Sequence, residues 1–77
     1  MNNPMYEEIL ERLRKRGFKG QNGDDYVKAG VVDSLGLLGW VLELEDVFGV
    51  ELTDDDVASD GFRIADGLAR IIEGKLK

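Results

Sequence analysis

Apolar residues in this 77-residue chain recur every three or four positions, and no stretch alternates as a strand would. Met5, Tyr6, Ile9, Leu10 and Leu13 form one such series; Leu37, Leu38, Val41, Leu44 and Phe48 a second; Ile64, Leu68, Ile71 and Ile72 a third. Three amphipathic stretches of this length predict an all-α fold. The expected architecture is a small antiparallel helical bundle of three main helices plus one short helix, forming a single domain over residues 1–77. A chain this short buries only about 60% of its unfolded surface. Its core is therefore thin, with little room for a buried catalytic cleft.

Local signals set the expected boundaries. Pro4 suits a first helical turn and Gly17 a helix end. The basic run Arg12, Arg14, Lys15 and Arg16 follows Glu7, Glu8 and Glu11 on the same helix. It reads as complementation of the helix dipole, with a nucleic-acid patch as the competing reading. Residues 17–32 form a long loop between helices one and two, with Asn22-Gly23 as a turn and Phe18, Tyr26 and Val27 pinning it to the core. Connections beyond about 12–15 residues are uncommon and often functional. The second helix is expected from Ser34 to Phe48, capped by Asp33 and stopped by Gly49. Val50-Glu51-Leu52 reads as an extended link. Thr53 and Asp56 fit a capping box for the short third helix. Asp60-Gly61 marks a turn, and the last helix carries Lys75 and Lys77 at its dipole-favoured end.

On a helical wheel of the second helix, Leu37, Leu38, Val41, Leu44 and Phe48 share the expected core face, with Trp40 at its flank. Leu35 and Leu42 lie off that face, one heptad apart, with Asp46 beside them. Two readings stand: a slightly wide apolar face, or a strip on which a partner docks. Gly36 and Gly39 fall on the outer side of the same helix, where each costs about 1 kcal/mol relative to alanine. They mark either a close approach by another group or simple tolerance at an exposed site.

Composition narrows the chemistry. The chain has no cysteine and no histidine, which removes disulfides, thiolate metal sites and imidazole acid–base chemistry. The net charge is −6; residues 1–30 contribute +1 and residues 31–77 contribute −7. An acidic half repels phosphate, so nucleic acid is not an expected partner, while basic protein surfaces are. Met1-Asn2-Asn3-Pro4 carries no apolar run, so neither a signal peptide nor membrane insertion is expected. The expectation is a cytoplasmic, free-standing monomer.

Asp33-Ser34-Leu35 then stands out. Ser34 follows the long loop and opens the second helix, yet the chain holds no imidazole that would activate it. Its expected role is as a point where another enzyme attaches a group.

The stretch Gly30-Val31-Val32-Asp33-Ser34-Leu35-Gly36-Leu37-Leu38 is followed by Leu44-Glu45-Asp46-Val47-Phe48-Gly49-Val50-Glu51-Leu52 and, later, Phe62-Arg63-Ile64. Together these resemble the acyl carrier protein family across nearly the whole chain. The resemblance implies a non-enzymatic carrier with a 4′-phosphopantetheine arm, derived from coenzyme A, on Ser34 beside Asp33. It also implies partner contacts through Leu35, Leu42, Glu45, Asp46 and Asp54. The implied partners are a phosphopantetheinyl transferase, an acyl- or aminoacyl-activating ligase and downstream acyl-transfer enzymes of fatty-acid or secondary-metabolite biosynthesis. Gly36 and Gly39 stand where the fatty-acid type has acids. Gly-Val-Val-Asp-Ser with Asp24-Asp25-Tyr26 upstream looks more like discrete or D-alanyl-type carriers. Other readings are a helical adaptor with an unmodified Ser34, and a calcium loop at residues 56–67. The calcium loop has Asp56, Asp60 and Gly61 in register but Ala58 and Gly67 where ligands belong.

Overall fold

A computed structural model of the chain describes residues 4–21 and 23–76. Four α-helices follow one another: α1 (Pro4–Lys15), α2 (Leu37–Phe48), α3 (Asp54–Ala58) and α4 (Ala65–Leu76). A 3-10 helix over Asp60–Arg63 joins α3 to α4. The described residues contain no strand, only an isolated bridge between Asp25 and Ile64. Asn22 of the expected turn and Lys77 of the expected helix end lie outside the described residues.

One hydrophobic core gathers these elements. Ile9, Leu10 and Leu13 from α1 meet Leu68, Ala69 and Ile72 from α4, with Trp40 and Leu44 from α2 and Phe62 from the 3-10 helix. The alanines at 65 and 69 are fully buried, as small residues are where α4 approaches its neighbours. Gly61 and Gly67 approach closely: a Cβ on Gly67 would lie 2.7 Å from the Gly61 Cα. The 3-10 helix can sit against α4 in this way only because position 67 lacks a side chain; a Cβ on Gly61 would meet its nearest neighbour at an ordinary 3.7 Å.

The long loop is held by aromatic side chains. Phe18 and Tyr26 are buried, as expected, and Val32 joins them. Tyr26 is the principal anchor. Its hydroxyl donates to the Phe62 carbonyl and accepts from Trp40 Nε1 at 3.3 Å. Its backbone N–H donates to the Arg63 carbonyl, and Arg63 pairs with Asp25 at 3.1 Å. The Tyr26 and Trp40 rings meet edge to face, with centroids 6.0 Å apart.

Three expectations for the second helix need correction. First, α2 begins at Leu37, not Ser34; residues 34–36 form a turn. Asp33 does accept the N–H of Gly36, at 2.7 Å, but it caps that turn. Gly36 is itself the N-cap of α2, so it carries no helix-interior penalty. Second, the buried face is centred on Trp40 and Leu44, both 0% exposed, with Leu37, Val41 and Phe48 flanking. Trp40 is thus the centre of the face. Third, Leu38 does not belong to the core: it is 68% exposed. Leucines cover so much of this helix that periodicity alone leaves its rotation open, and Tyr26 settles it by drawing Trp40 inward.

The basic end of α1 is also tied internally. Arg12 Nη1 and Arg16 Nη2 reach the two oxygens of Glu43 on α2, at 2.9 and 2.6 Å. Arg16 further lies over the Trp40 ring, 5.0 Å from its centroid. Burial pushes the Glu43 carboxyl up, but the hydrogen bonds from Arg16 and Arg12 outweigh it and hold the group below its ordinary range.

Candidate functional site

Ser34 sits on the exposed turn that leads into α2, held from behind by the Asp33–Gly36 bond. Its hydroxyl makes no hydrogen bond among the described residues. Leu35 beside it is 93% exposed. The first turn of α2 contains no acidic residue, whereas those of α1, α3 and α4 do. The leading N–H groups of α2 therefore face no carboxylate from their own first turn, which favours an anion nearby.

From Ser34 a groove of about 650 Å³ runs between α2 and α3. The α2 wall is Leu37, Leu38, Val41, Leu42 and Glu45; the opposite wall is Leu52, Asp54, Val57 and Ala58. Positions 34, 38, 41, 42 and 45 repeat at three- and four-residue steps, so one face of α2 supplies the wall. The volume falls within the 300–1,000 Å³ range typical of small-molecule sites.

Polar contacts hold the second wall. Thr53 and Asp56 form the expected capping box: Asp56 N–H donates to Thr53 Oγ1 at 3.1 Å, and Thr53 N–H donates to Asp56 Oδ2 at 2.9 Å. Lys75 from α4 pairs with Asp56 at 2.5 Å. Its hydrogen bond, with the one from the Thr53 N–H, holds the Asp56 carboxyl below its ordinary range. Glu45 Oε2 accepts the N–H of Leu52 at 2.8 Å, tying the link before α3 back to α2.

The sequence-derived site residues fall into two sets. Ser34, Leu42, Glu45 and Asp54 line the groove, and Leu42 is 54% exposed. Leu35 and Asp46 are exposed but outside the lining. Asp33 shapes the turn through its bond to Gly36. Leu38, Val57 and Ala58 were not singled out from the sequence. The first was legible as a step of four from Ser34, while the other two depend on how α3 docks. Residues 56–67 comprise the end of α3, the 3-10 helix and the first turn of α4, so they form no twelve-residue metal loop. The described residues contain no cluster of three metal-ligating side chains, and no helix among them is long and apolar enough to cross a membrane.

Comparison of the chain with protein-family models, curated proteins and solved structures finds no match.

Proposed function

We propose that the protein is a carrier whose Ser34 bears a covalent 4′-phosphopantetheine arm, and that it presents an acyl or aminoacyl thioester to partner enzymes. The observation that carries this reading is the placement of the Asp-Ser-Leu serine. Its hydroxyl is exposed, unbonded within the described chain, and set on a turn at the mouth of an apolar groove. A phosphodiester at Ser34 would meet the positive end of α2, and Leu35 leaves the approach open on the other side. Attachment joins Ser34 Oγ to the phosphorus that bears the pantetheine arm in coenzyme A. The bond from that phosphorus to the bridging oxygen breaks, 3′,5′-ADP departs, and the hydroxyl proton passes to a base outside this chain. When bound, the arm supplies a thiol, which a chain without cysteine lacks.

In this reading the helices form an antiparallel bundle whose task is to present α2. Leu35, Leu38 and Leu42 make an exposed apolar strip beside Ser34, and Asp46 borders it. The strip suits docking of the transferase and of an activating ligase, with the carboxylate steering basic partner surfaces. The test is intact mass after incubation with coenzyme A and a broad-specificity phosphopantetheinyl transferase. The parent gains one arm, and Ser34→Ala gains none while keeping its helical circular dichroism. A parent that gains no mass, or an alanine variant that does, refutes the assignment.

A further inference from the structure

The two walls of the groove are not held equally. Leu52 is buried where the link from α2 ends, and Phe62 is buried where the 3-10 helix meets α4. Between these two anchors, no residue from 53 to 60 is buried, and Val57 packs against the core only half-buried. The short helix α3 packs chiefly on the 3-10 helix that follows it. Its capping box, the Ser59 Oγ bond to the Asp56 carbonyl and the Phe62 N–H bond to the Ser59 carbonyl all close within a few residues. A segment that buries so little apolar surface has little free energy of its own to resist local opening.

Asp56 reaches further. Its Oδ2 accepts the Thr53 N–H at 2.9 Å, and the same atom meets the Lys75 ammonium at 2.5 Å. One oxygen therefore both caps α3 and joins it to the last turn of α4. The two side chains are 24% and 22% exposed, so water screens the pair only in part. Lys75 keeps the carboxylate in the orientation that caps; without it, Asp56 is free to turn to water. Neither residue lines the groove.

We propose that α3 is a hinged wall of the groove and that Lys75 is its catch. With the catch closed, Asp54, Val57 and Ala58 stand against α2. With it open, they swing away between the fixed points Leu52 and Phe62, and the groove widens. The control point lies at the end of α4, so a contact that takes Lys75 from Asp56 is felt at the groove wall. The device belongs to the fold and works with Ser34 free or modified.

The first arm of the test is amide hydrogen exchange, followed by NMR in the unmutated full-length protein. The Val57 N–H donates to the Thr53 carbonyl and the Ser59 N–H to the Asp56 carbonyl, while the Leu68 N–H donates to the Ile64 carbonyl at the start of α4. In low urea, exchange at Val57 and Ser59 should hardly change, as befits a local opening, while Leu68 should accelerate as the whole fold opens. Equal urea slopes at all three refute the hinge, because α3 would then open only with the entire molecule. The second arm uses Lys75→Met, which keeps the apolar stem and removes the charge. Val57 and Ser59 should exchange about two- to fivefold faster, the size expected of a partly exposed ion pair, with Leu68 unchanged. Asp56→Asn keeps an acceptor for the Thr53 N–H but loses the ion pair, so adding Lys75→Met to it should change nothing more. Methyl spectra read the groove itself: Lys75→Met should move the Leu38, Leu42 and Val57 signals, although Lys75 is not in the lining. Parental exchange in Lys75→Met, full additivity of the two substitutions, or unmoved groove methyls overturn the catch. So does a Lys75→Met protein in which Leu68 accelerates as much as Val57, since Lys75 would then support the fold at large.

Discussion

Replacing Tyr26 with phenylalanine removes a single oxygen, yet that oxygen serves two buried groups. It receives the Trp40 indole N–H and donates to the Phe62 carbonyl, and all three residues are at most 1% exposed. The ring itself is kept, so the apolar packing changes little. What is lost is the partner of one buried donor and one buried acceptor, each costing about 1–3 kcal/mol when left unpaired. The variant should therefore lose about 2–4 kcal/mol, a large share of the ~5–15 kcal/mol that holds a small domain together. At about 4–8 °C per kcal/mol for a chain of this size, Tm should fall by roughly 8–32 °C. A second readout isolates the hydroxyl. Burial holds the phenol well above its ordinary value; the Trp40 hydrogen bond opposes this, and the nearby Asp25 charge adds to it. A raised folded-state value stabilises the protein fully below the unfolded value near pH 10, and that contribution is lost as pH rises above it. Tyr26 should thus add up to about 1.4 kcal/mol per pH unit to the loss of stability above pH 10. Urea denaturation of parent and Tyr26→Phe, followed by circular dichroism from pH 7 to 11, tests both arms. A variant melting within about 2 °C of the parent, or equal alkaline slopes, would show that the hydroxyl does not anchor the loop.

Three further outcomes follow from the same geometry. Gly67→Ala forces a Cβ into the Gly61 backbone and should cost about 1–3 kcal/mol or more, whereas Gly39→Ala, with nothing within 4 Å of the added carbon, should gain up to about 1 kcal/mol; urea midpoints decide. Glu43 sits below its ordinary pKa, so its stabilisation is present above the unfolded value near pH 4.3 and disappears as pH falls through the folded one; Glu43→Gln should flatten that acid limb by up to about 1 kcal/mol, measured by denaturation between pH 6 and 2. If the protein is the carrier proposed above, Leu42→Glu should shorten the lifetime of its complex with a phosphopantetheinyl transferase, and Asp46→Lys should slow encounter mainly at low salt, both without change in helical content; loading rates matching the parent at both low and high salt would refute the proposed docking strip.

Much of the local structure was legible because its causes lie within a few residues. Thr53 and Asp56 cap α3 across three positions, Asp33 reaches the Gly36 N–H across three, and Gly17 and Gly49 take the positive φ that ends α1 and α2. Ser34, Leu35 and Leu42 are exposed, as expected, the first two because they precede α2 on its entry turn. The rotation of α2 was not legible. Leucine or valine occupies positions 35, 37, 38, 41, 42, 44 and 47, so the hydrophobic pattern hardly distinguishes one side from the other.

What the sequence by itself determined, then, is which segments are helical, where they stop, and that Asp33 and Ser34 stand at the entrance of α2, since those outcomes depend on propensities and caps within one or two turns. The tertiary structure decided that Trp40 points inward and Leu38 outward. It also decided that Arg12 and Arg16 close on Glu43 across 27 to 31 residues, and that α3 supplies the second wall of the groove. Each of these depends on groups distant in the chain competing for the same buried volume or the same carboxylate, and only the packed molecule brings those competitors together.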